Sequence, residues 1–373
     1  MLEKVKTEML KKEGVDGNMI DELSDNPINN TYLSMISKEY GVKEESLSTL
    51  VFQSTELGRP YAPVNIVTVV EALADPSPDE IAAELEANGI TFEYVGALLD
   101  KTGARRGVGN IRRGGDGDAV NDAGVIHRFE SSLESRLDVE TILARGAKHG
   151  VVLVSMGTVI TSNMMGHGWT KRETTNGGKT EIGVSGKELC QSVYSAAFDA
   201  LASRDELLVV AVGHQPDAIE GLAVPDGVIC RAFVPQVDLL RTGLVKLFVT
   251  HGGQNSFSES LAEGVPVVVC PGFGDQPVNA IKAQSLGVGA AVMRPSKPEF
   301  TRGTVAEATP EEMAELDATI SAFREDVTHA IRETLDNASF KIAAEGIAAE
   351  IAKAGGVEAA VSTILREAKS QRV

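Results

Sequence analysis

Cysteine is scarce in this chain. The three residues present, Cys190, Cys230 and Cys270, lie far apart and form no Cys-x-x-Cys pair. That excludes a disulfide framework and a zinc ribbon, and it fits a reducing cytoplasm. Positive charge is also short: 35 lysines and arginines stand against 53 acids, for a net charge of −18. Such a balance excludes nucleic acid as a partner, because binding a phosphate backbone relies on basic surface. Long apolar runs are missing too, so no membrane span is expected. The opening MLEKVKTEMLKKEG is charged and amphipathic rather than a signal peptide. No carboxylate pair of the DxD kind stands in a suitable loop, and no metal is expected. What remains is a chain of 373 residues with 43% hydrophobic content, enough for two ordinary domains with real cores.

Along the chain, residues 1–60 are polar and helical in pattern, with a turn at Ser24-Asp-Asn-Pro27. Residues 64–70 predict a strand, 77–88 a helix opened by Ser77-Pro78, and 91–96 a second strand. Residues 101–136 hold a glycine- and arginine-rich linker. Its Gly107-Val-Gly109 is no dinucleotide fingerprint, since Arg112 takes the third glycine position and no strand-to-helix context surrounds it. Strands are expected at 150–157, 207–213 and 228–232, and helices at 189–202, 309–337 and 338–370, the last broken at Gly355-Gly356. Residues 161–186 are a polar insertion without periodicity that holds the only tryptophan, Trp169, and His167. A loop of this length reads as a lid or as a disordered stretch.

The most informative stretch is 245–279, VKLFVTHGGQNSFSESLAEGVPVVVCPGFGDQPVN. Val245–Thr250 reads as a buried parallel strand, followed by His251-Gly252-Gly253 and a helix over 257–263 with Asn255 and Ser256 as N-cap candidates. Gly264 ends that helix, and Val265–Cys270 is a second buried strand. A glycine-opened helix N-terminus after a parallel strand is an anion site. His251 can donate to a phosphate oxygen, Glu259 can accept from vicinal hydroxyls, and Asp275-Gln276 can accept from and donate to sugar hydroxyls. A plain βαβ crossover accounts for the glycines and valines but not for these polar residues together.

HGGQNS…E…GVP…P…DQ resembles the donor-binding motif of family 1 UDP-sugar-dependent glycosyltransferases, of the macrolide, sterol and plant secondary-metabolite type. Two further pieces carry the resemblance. Phe233-Val-Pro-Gln236 is similar to the aromatic-x-Pro-Gln opening of the motif, and VSMGT (154–158) to the first donor-domain strand and its diphosphate-facing turn. The resemblance implies an α/β, GT-B-like fold with a complete C-terminal Rossmann-like donor domain. It implies base stacking on Phe233, uracil reading by the backbone of Val234 and ribose contact by Gln236. Ser155, Gly157 and Thr158 would face the diphosphate, with His251, Gly252, Gly253, Asn255 and Ser256 opposite. Many plant members carry tryptophan where this chain has Phe233. The run YVGALLD (94–100) resembles the last acceptor-domain strand. The division expected is therefore a partial acceptor domain (1–100), the linker (101–136), the donor domain (137–337) and C-terminal helices (338–373) that pack back on the N-terminal part.

The family's base, a histidine just after its first strand, has no counterpart here. The first histidine is His127, beside the linker, and reads as a solvent-exposed bystander rather than a recruited base; the catalytic group stays unassigned. The acceptor half reads as truncated or reduced at its N-terminal side. The resemblance implies transfer of a hexose, glucose first, from a UDP-sugar co-substrate to a hydroxyl of a lipophilic small molecule with inversion and without a resident cofactor. A non-catalytic nucleotide-sugar-binding half that needs a protein partner, or a fragment that binds UDP without turnover, stays open beside it. A nicotinamide-dependent oxidoreductase is disfavoured by the missing glycine fingerprint.

Overall fold

The computed structural model describes residues 64–74, 79–99, 134–161, 169, 170, 173–176, 179–213, 215–295 and 309–370. The expectations for residues 1–60, for the linker over 101–133 with His127, and for His167 fall outside the described residues.

The described residues divide into two compact units. One holds Val64, Asn65 and residues 79–92, including helix α1 (Asp79–Ala87). There Asn65 Nδ2 donates to the Thr91 carbonyl at 3.1 Å. The other holds residues 66–74 and everything described from Glu93 onward. Strands β1 (Val64–Val67) and β2 (Thr91–Tyr94) lie where the two divisions meet in sequence. Residues 66–74 and 93–99 were expected to belong to a first domain ending at 100; they cluster with the larger unit instead. The reason is main-chain bonding: Val95 and Gly96 donate to the Val67 and Val69 carbonyls, and Gly356 donates to Val95.

The larger unit is built on a six-stranded parallel sheet. Its strands are β3 (Val151–Ser155), β6 (Leu207–Ala211), β7 (Ile229–Arg231), β8 (Val245–Thr250), β9 (Val267–Val269) and β10 (Gly289–Ala291). The order across the sheet is β10-β9-β8-β3-β6-β7. The chain therefore starts in the middle at β3, winds to one edge, and crosses back to β8 beside its starting strand. This is the doubly wound order, and its switch point lies between β3 and β8.

The strands are apolar on both faces because both are covered. Val152, Val154, Leu247, Val249 and Val268 point to one side, against Leu189, Val193, Tyr194 and Phe198 of α4 (Gly186–Leu201) and Phe323, Val327 and Ile331 of α8 (Pro310–Asp336). Leu153, Val209, Phe248, Val267 and Val269 point to the other, where Ile142 of α2 (Glu134–His149), Phe257 and Leu261 of α6 (Gln254–Ala262) and Ile347 and Ile351 of α9 (Ala338–Ala354) complete the core. Helix α2 begins at Glu134, three residues inside the stretch expected as linker.

Local signals agree with this layout. Thr309 caps α8 through a reciprocal capping box with Glu312 and Pro310 opens the helix; Ser185 caps α4 in the same way with Glu188. Gly355, at φ 88°, separates α9 from α10 (Gly356–Ser370), as the glycine pair predicts. The remaining elements are α3 (Thr158–Thr161), the antiparallel pair β4 (Glu173–Asn176) and β5 (Lys179–Ile182), α5 (Gln236–Arg241) and α7 (Gln276–Ser285). The β4–β5 ladder contradicts a structureless insertion at 161–186. Trp169 is not on a lid either. It is 2% exposed, and its indole N–H donates to Asp217 Oδ1 at 2.8 Å, so a residue far along the chain fixes it in the core.

Phe248 sits at the centre of the sheet with 0% exposure. Phe248→Ala is expected to cost about 3–5 kcal/mol. Urea unfolding would show this as a lower midpoint with an unchanged slope.

Candidate functional site

The carboxyl ends of β3 and β8 are side by side, with Ser155 paired to Thr250. Val269 pairs with Thr250 on the other side of β8. Three turns therefore meet at one edge of the sheet: 155–158 after β3, 251–253 after β8, and 270–275 after β9. A parallel sheet places its ligand crevice at this edge, at the switch point. The sequence expectation that these three turns serve one site agrees with the register.

The imidazole of His251 fills the space between two of them. A Cβ built on Gly157, at φ 76°, would lie 2.4 Å from His251 Cε1, and one on Gly253 would lie 2.5 Å from Nε2. Only glycine fits at either position, which explains both residues physically. Thr250 Oγ1 lies 3.4 Å from Nδ1 and accepts from the Gly252 N–H at 3.3 Å. Burial lowers the His251 pKa to about 4, against smaller opposing effects of the Ser155 main chain and the Asp275 charge. The ring is therefore neutral at pH 7, and its single N–H is engaged by the Ser155 main chain, which leaves the other nitrogen as an acceptor.

Helix α6 starts at Gln254, earlier than the sequence pattern suggests, and its N-cap is Gly253 with no side-chain cap. Asn255 and Ser256 therefore do not cap it. A bare glycine at the N-cap leaves the first-turn N–H groups for an anion, which suits the dipole. Asn255 is exposed, while Ser256 Oγ accepts from Gln236 Nε2 at 3.2 Å. Thr158 is exposed at the start of α3, and Ser155 is half-buried at the end of β3.

The residues expected around the nucleoside are also assembled. Phe233 presents 38% of its surface, high for a large apolar side chain. Pro235, at φ −73° and ψ 74°, closes an inverse γ-turn in which the Gln236 N–H donates to the Val234 carbonyl at 2.8 Å. This turn aims Gln236 across to α6, where its Nε2 donates to Glu259 Oε2 at 2.8 Å. The two expected ribose ligands are thus hydrogen-bonded to one another.

Gln276 differs from expectation. It is 4% exposed, and its Oε1 accepts from the Gly272 and Phe273 N–H groups at 2.8 and 3.2 Å. Its carbonyl oxygen is committed to the loop, so only its NH₂ is available to donate to a ligand. Asp275 is exposed beside it and supplies the acceptor. Sequence reasoning missed Asn279, which is 5% exposed and donates to the Gly252 carbonyl at 2.8 Å. It ties the 252 turn to α7. The available signal was its position one helical turn after Asp275, on the same face.

Comparisons with known proteins place part of the chain beside one family. Residues 199–309 match the family described as UDP-glucoronosyl and UDP-glucosyl transferase. That segment contains the site residues from Phe233 to Gln276. The uncharacterized UDP-glucosyltransferase YojK of Bacillus subtilis is 31% identical over 178 residues, covering 48% of this chain and 37% of that protein. UDP-glucuronosyltransferase 3A1 of Mus musculus is 28% identical over 155 residues, 42% of this chain and 25% of that protein. The chain thus matches between a quarter and two fifths of the length of these relatives. The crystal structure of the calicheamicin glycosyltransferase CalG4 superposes with a TM-score of 0.48 at 16% identity, over 99% of this chain and 64% of that one.

The enclosed His251 makes stability pH-dependent. Its folded pKa lies below its unfolded one, so the unfolded state binds more protons between pH 6.5 and 4, and stability falls as pH drops through that window. The loss at this site is expected to reach about 3 kcal/mol by pH 4. Denaturant titrations at pH 7 and pH 4 check it: the decrement should shrink by about that amount in His251→Asn.

Proposed function

We propose that this chain, a member of the UDP-glycosyltransferase family through its donor-side segment, binds a UDP-sugar at the β3/β8 crevice and transfers the sugar to an acceptor hydroxyl. The observation that carries the reading is the convergence of the 155–158, 251–253 and 270–275 turns at the switch point, beside the Gln236–Glu259 pair and the exposed Phe233.

The roles follow from chemistry. The uracil stacks on Phe233, and the main chain at Val234 reads its edge. Ribose hydroxyls exchange into the Gln236–Glu259 hydrogen bond, donating to the carboxylate as they accept from the amide. The diphosphate lies against the N-terminus of α6 and the Ser155–Thr158 turn, with the His251 ring bordering it and able to donate only if its N–H leaves the Ser155 main chain. These groups are polarised toward the charge that grows on the leaving phosphate as the glycosidic bond breaks. Asp275 accepts from the sugar, glucose being the first expectation, and the Gln276 NH₂ donates to it. The acceptor oxygen attacks the anomeric carbon from the face opposite UDP, and the transfer inverts. The acceptor is a lipophilic small molecule.

One observation favours a second reading, a nucleotide-sugar-binding half that requires a partner for the acceptor site. Among the described residues, His149 lies at the opposite edge of the sheet, 3.7 Å from Asp205, and His329 faces Glu333 on α8. None of these histidines, nor His251, is assigned as a base; His127, His167 and His214 lie outside the described residues.

A thermal-shift titration with UDP, ADP and GDP, followed by UDP-glucose turnover in the same sample, separates these readings. UDP at a hundred times its Kd adds ~2.7 kcal/mol and is expected to raise the midpoint by several degrees, selectively over ADP and GDP. Turnover supports the transferase; a UDP shift without turnover supports the binding half. Glu259→Ala is expected to weaken UDP about tenfold or more while sparing inorganic diphosphate, because the substitution removes an acceptor for ribose only. Equal losses for both ligands would remove the ribose role.

A further inference from the structure

One half-buried cation beneath the donor site has no part in that account. Arg294 follows β10, and burial holds its guanidinium below the usual arginine pKa. It donates to the Gly272 carbonyl at 3.3 Å and to the Val184 carbonyl, and the nearby Glu188 carboxylate favours its charged form without a hydrogen bond to it among the described residues. A buried cation without a hydrogen-bonded carboxylate is costly unless acceptors satisfy its donors. Here main-chain carbonyls from two separate segments do so. Val184 directly precedes Ser185, the cap of α4, which fixes one end of the bridge. Gly272 belongs to the loop that carries Asp275.

The Gly272 peptide is constrained from every direction. Its N–H donates to Gln276 Oε1 at 2.8 Å, its carbonyl accepts from Arg294, and a Cβ on it would lie 2.3 Å from Ile160 Cδ1 in α3. Asp275 is three residues further on, at the N-cap of α7, without a side-chain cap to hold the helix start. Its carboxylate accepts one long hydrogen bond, from Asn279 Nδ2 at 3.5 Å, so its placement depends mainly on how the 271–274 backbone is pinned. A planar fork that reaches two carbonyls at once meets this need, and the point charge of a lysine does not.

We infer that Arg294 is a positioning residue for the sugar end of the donor, acting through Gly272 to set the Asp275 carboxylate against the sugar hydroxyls. This rests on the donor-site reading above. It predicts a split between nucleotide and sugar: removing Arg294 leaves the uridine and diphosphate contacts in place and loosens only the 271–275 loop.

The test is calorimetric titration of the full chain with UDP and with UDP-glucose, for the wild type, Arg294→Ala, Arg294→Lys, Asp275→Asn and the Arg294→Ala/Asp275→Asn double variant. Expected for Arg294→Ala is a UDP Kd within about twofold of wild type and a UDP-glucose Kd weaker by about tenfold, with Arg294→Lys between. The double variant should bind UDP-glucose no more weakly than the worse single variant, since both act on one contact. Unchanged UDP-glucose affinity, equal losses for both ligands, or additive losses in the double variant would each overturn the inference. If Arg294→Ala does not fold, Arg294→Lys carries the same comparison. A wild type that binds neither UDP nor UDP-glucose would take down the donor-site reading and this inference with it.

Discussion

The donor site depends on one register, the pairing of β3 with β8. Ser155 opposite Thr250 brings two glycine turns from distant parts of the chain to the same height, and the His251 ring closes the gap between them. A slip of one residue would turn Thr250 and Ser155 to opposite faces and break this arrangement. The buried valines of both strands prevent it, because each alternate residue packs against a different helical layer. Core packing and ligand geometry are thus set by the same ladder. The glycines at 157 and 253 follow from it, since the turns approach too closely for any Cβ beside an imidazole.

A net charge of −18 is a poor starting point for holding a diphosphate. The long-range field of the chain repels such a ligand, so attraction has to be local. In the proposed reading it comes from main-chain groups, the uncapped helix start at Gly253 and the turn at Ser155–Thr158, with the 252 turn held in place by Asn279. His251 fits the same logic. Burial keeps it neutral, so it brings no counter-charge, and its hydrogen bond to the Ser155 main chain orients the ring. Neutral donors that are already oriented need little reorganisation when charge develops on the leaving group.

Much of this was legible in the sequence, for a physical reason. The parallel strands are unbroken β-branched runs because both faces of the sheet are covered, and the glycine turns follow them directly. The capping box of Thr309 with Glu312 and the Gly355 break are short-range signals and read correctly. What stayed hidden is long-range. Trp169 looked like part of a lid because its partner, Asp217, is 48 residues away. Gln276 looked like a sugar ligand on both ends of its amide, and the fold uses its oxygen to hold the Gly272 turn. Asn255 and Ser256 are good caps by composition, yet the helix starts earlier, with Gly253 as its N-cap, and the Ser256 hydroxyl is taken by Gln236 across the turn. In each case a tertiary contact overrode a local preference.

The distribution of these residues along the chain separates binding from transfer. Every donor-side group from Ser155 to Gln276 belongs to the larger compact unit, and its bonds close within that unit: Gln236 to Glu259, Asn279 to Gly252, Gln276 to Gly272. In the proposed reading, nucleotide affinity is a property of the sheet edge and its three turns. Transfer requires in addition a base and a pocket whose residues are not among those three turns. A chain of this kind can keep an intact donor site while its acceptor chemistry changes, because the interactions that preorganise the leaving group are not the ones that choose the nucleophile.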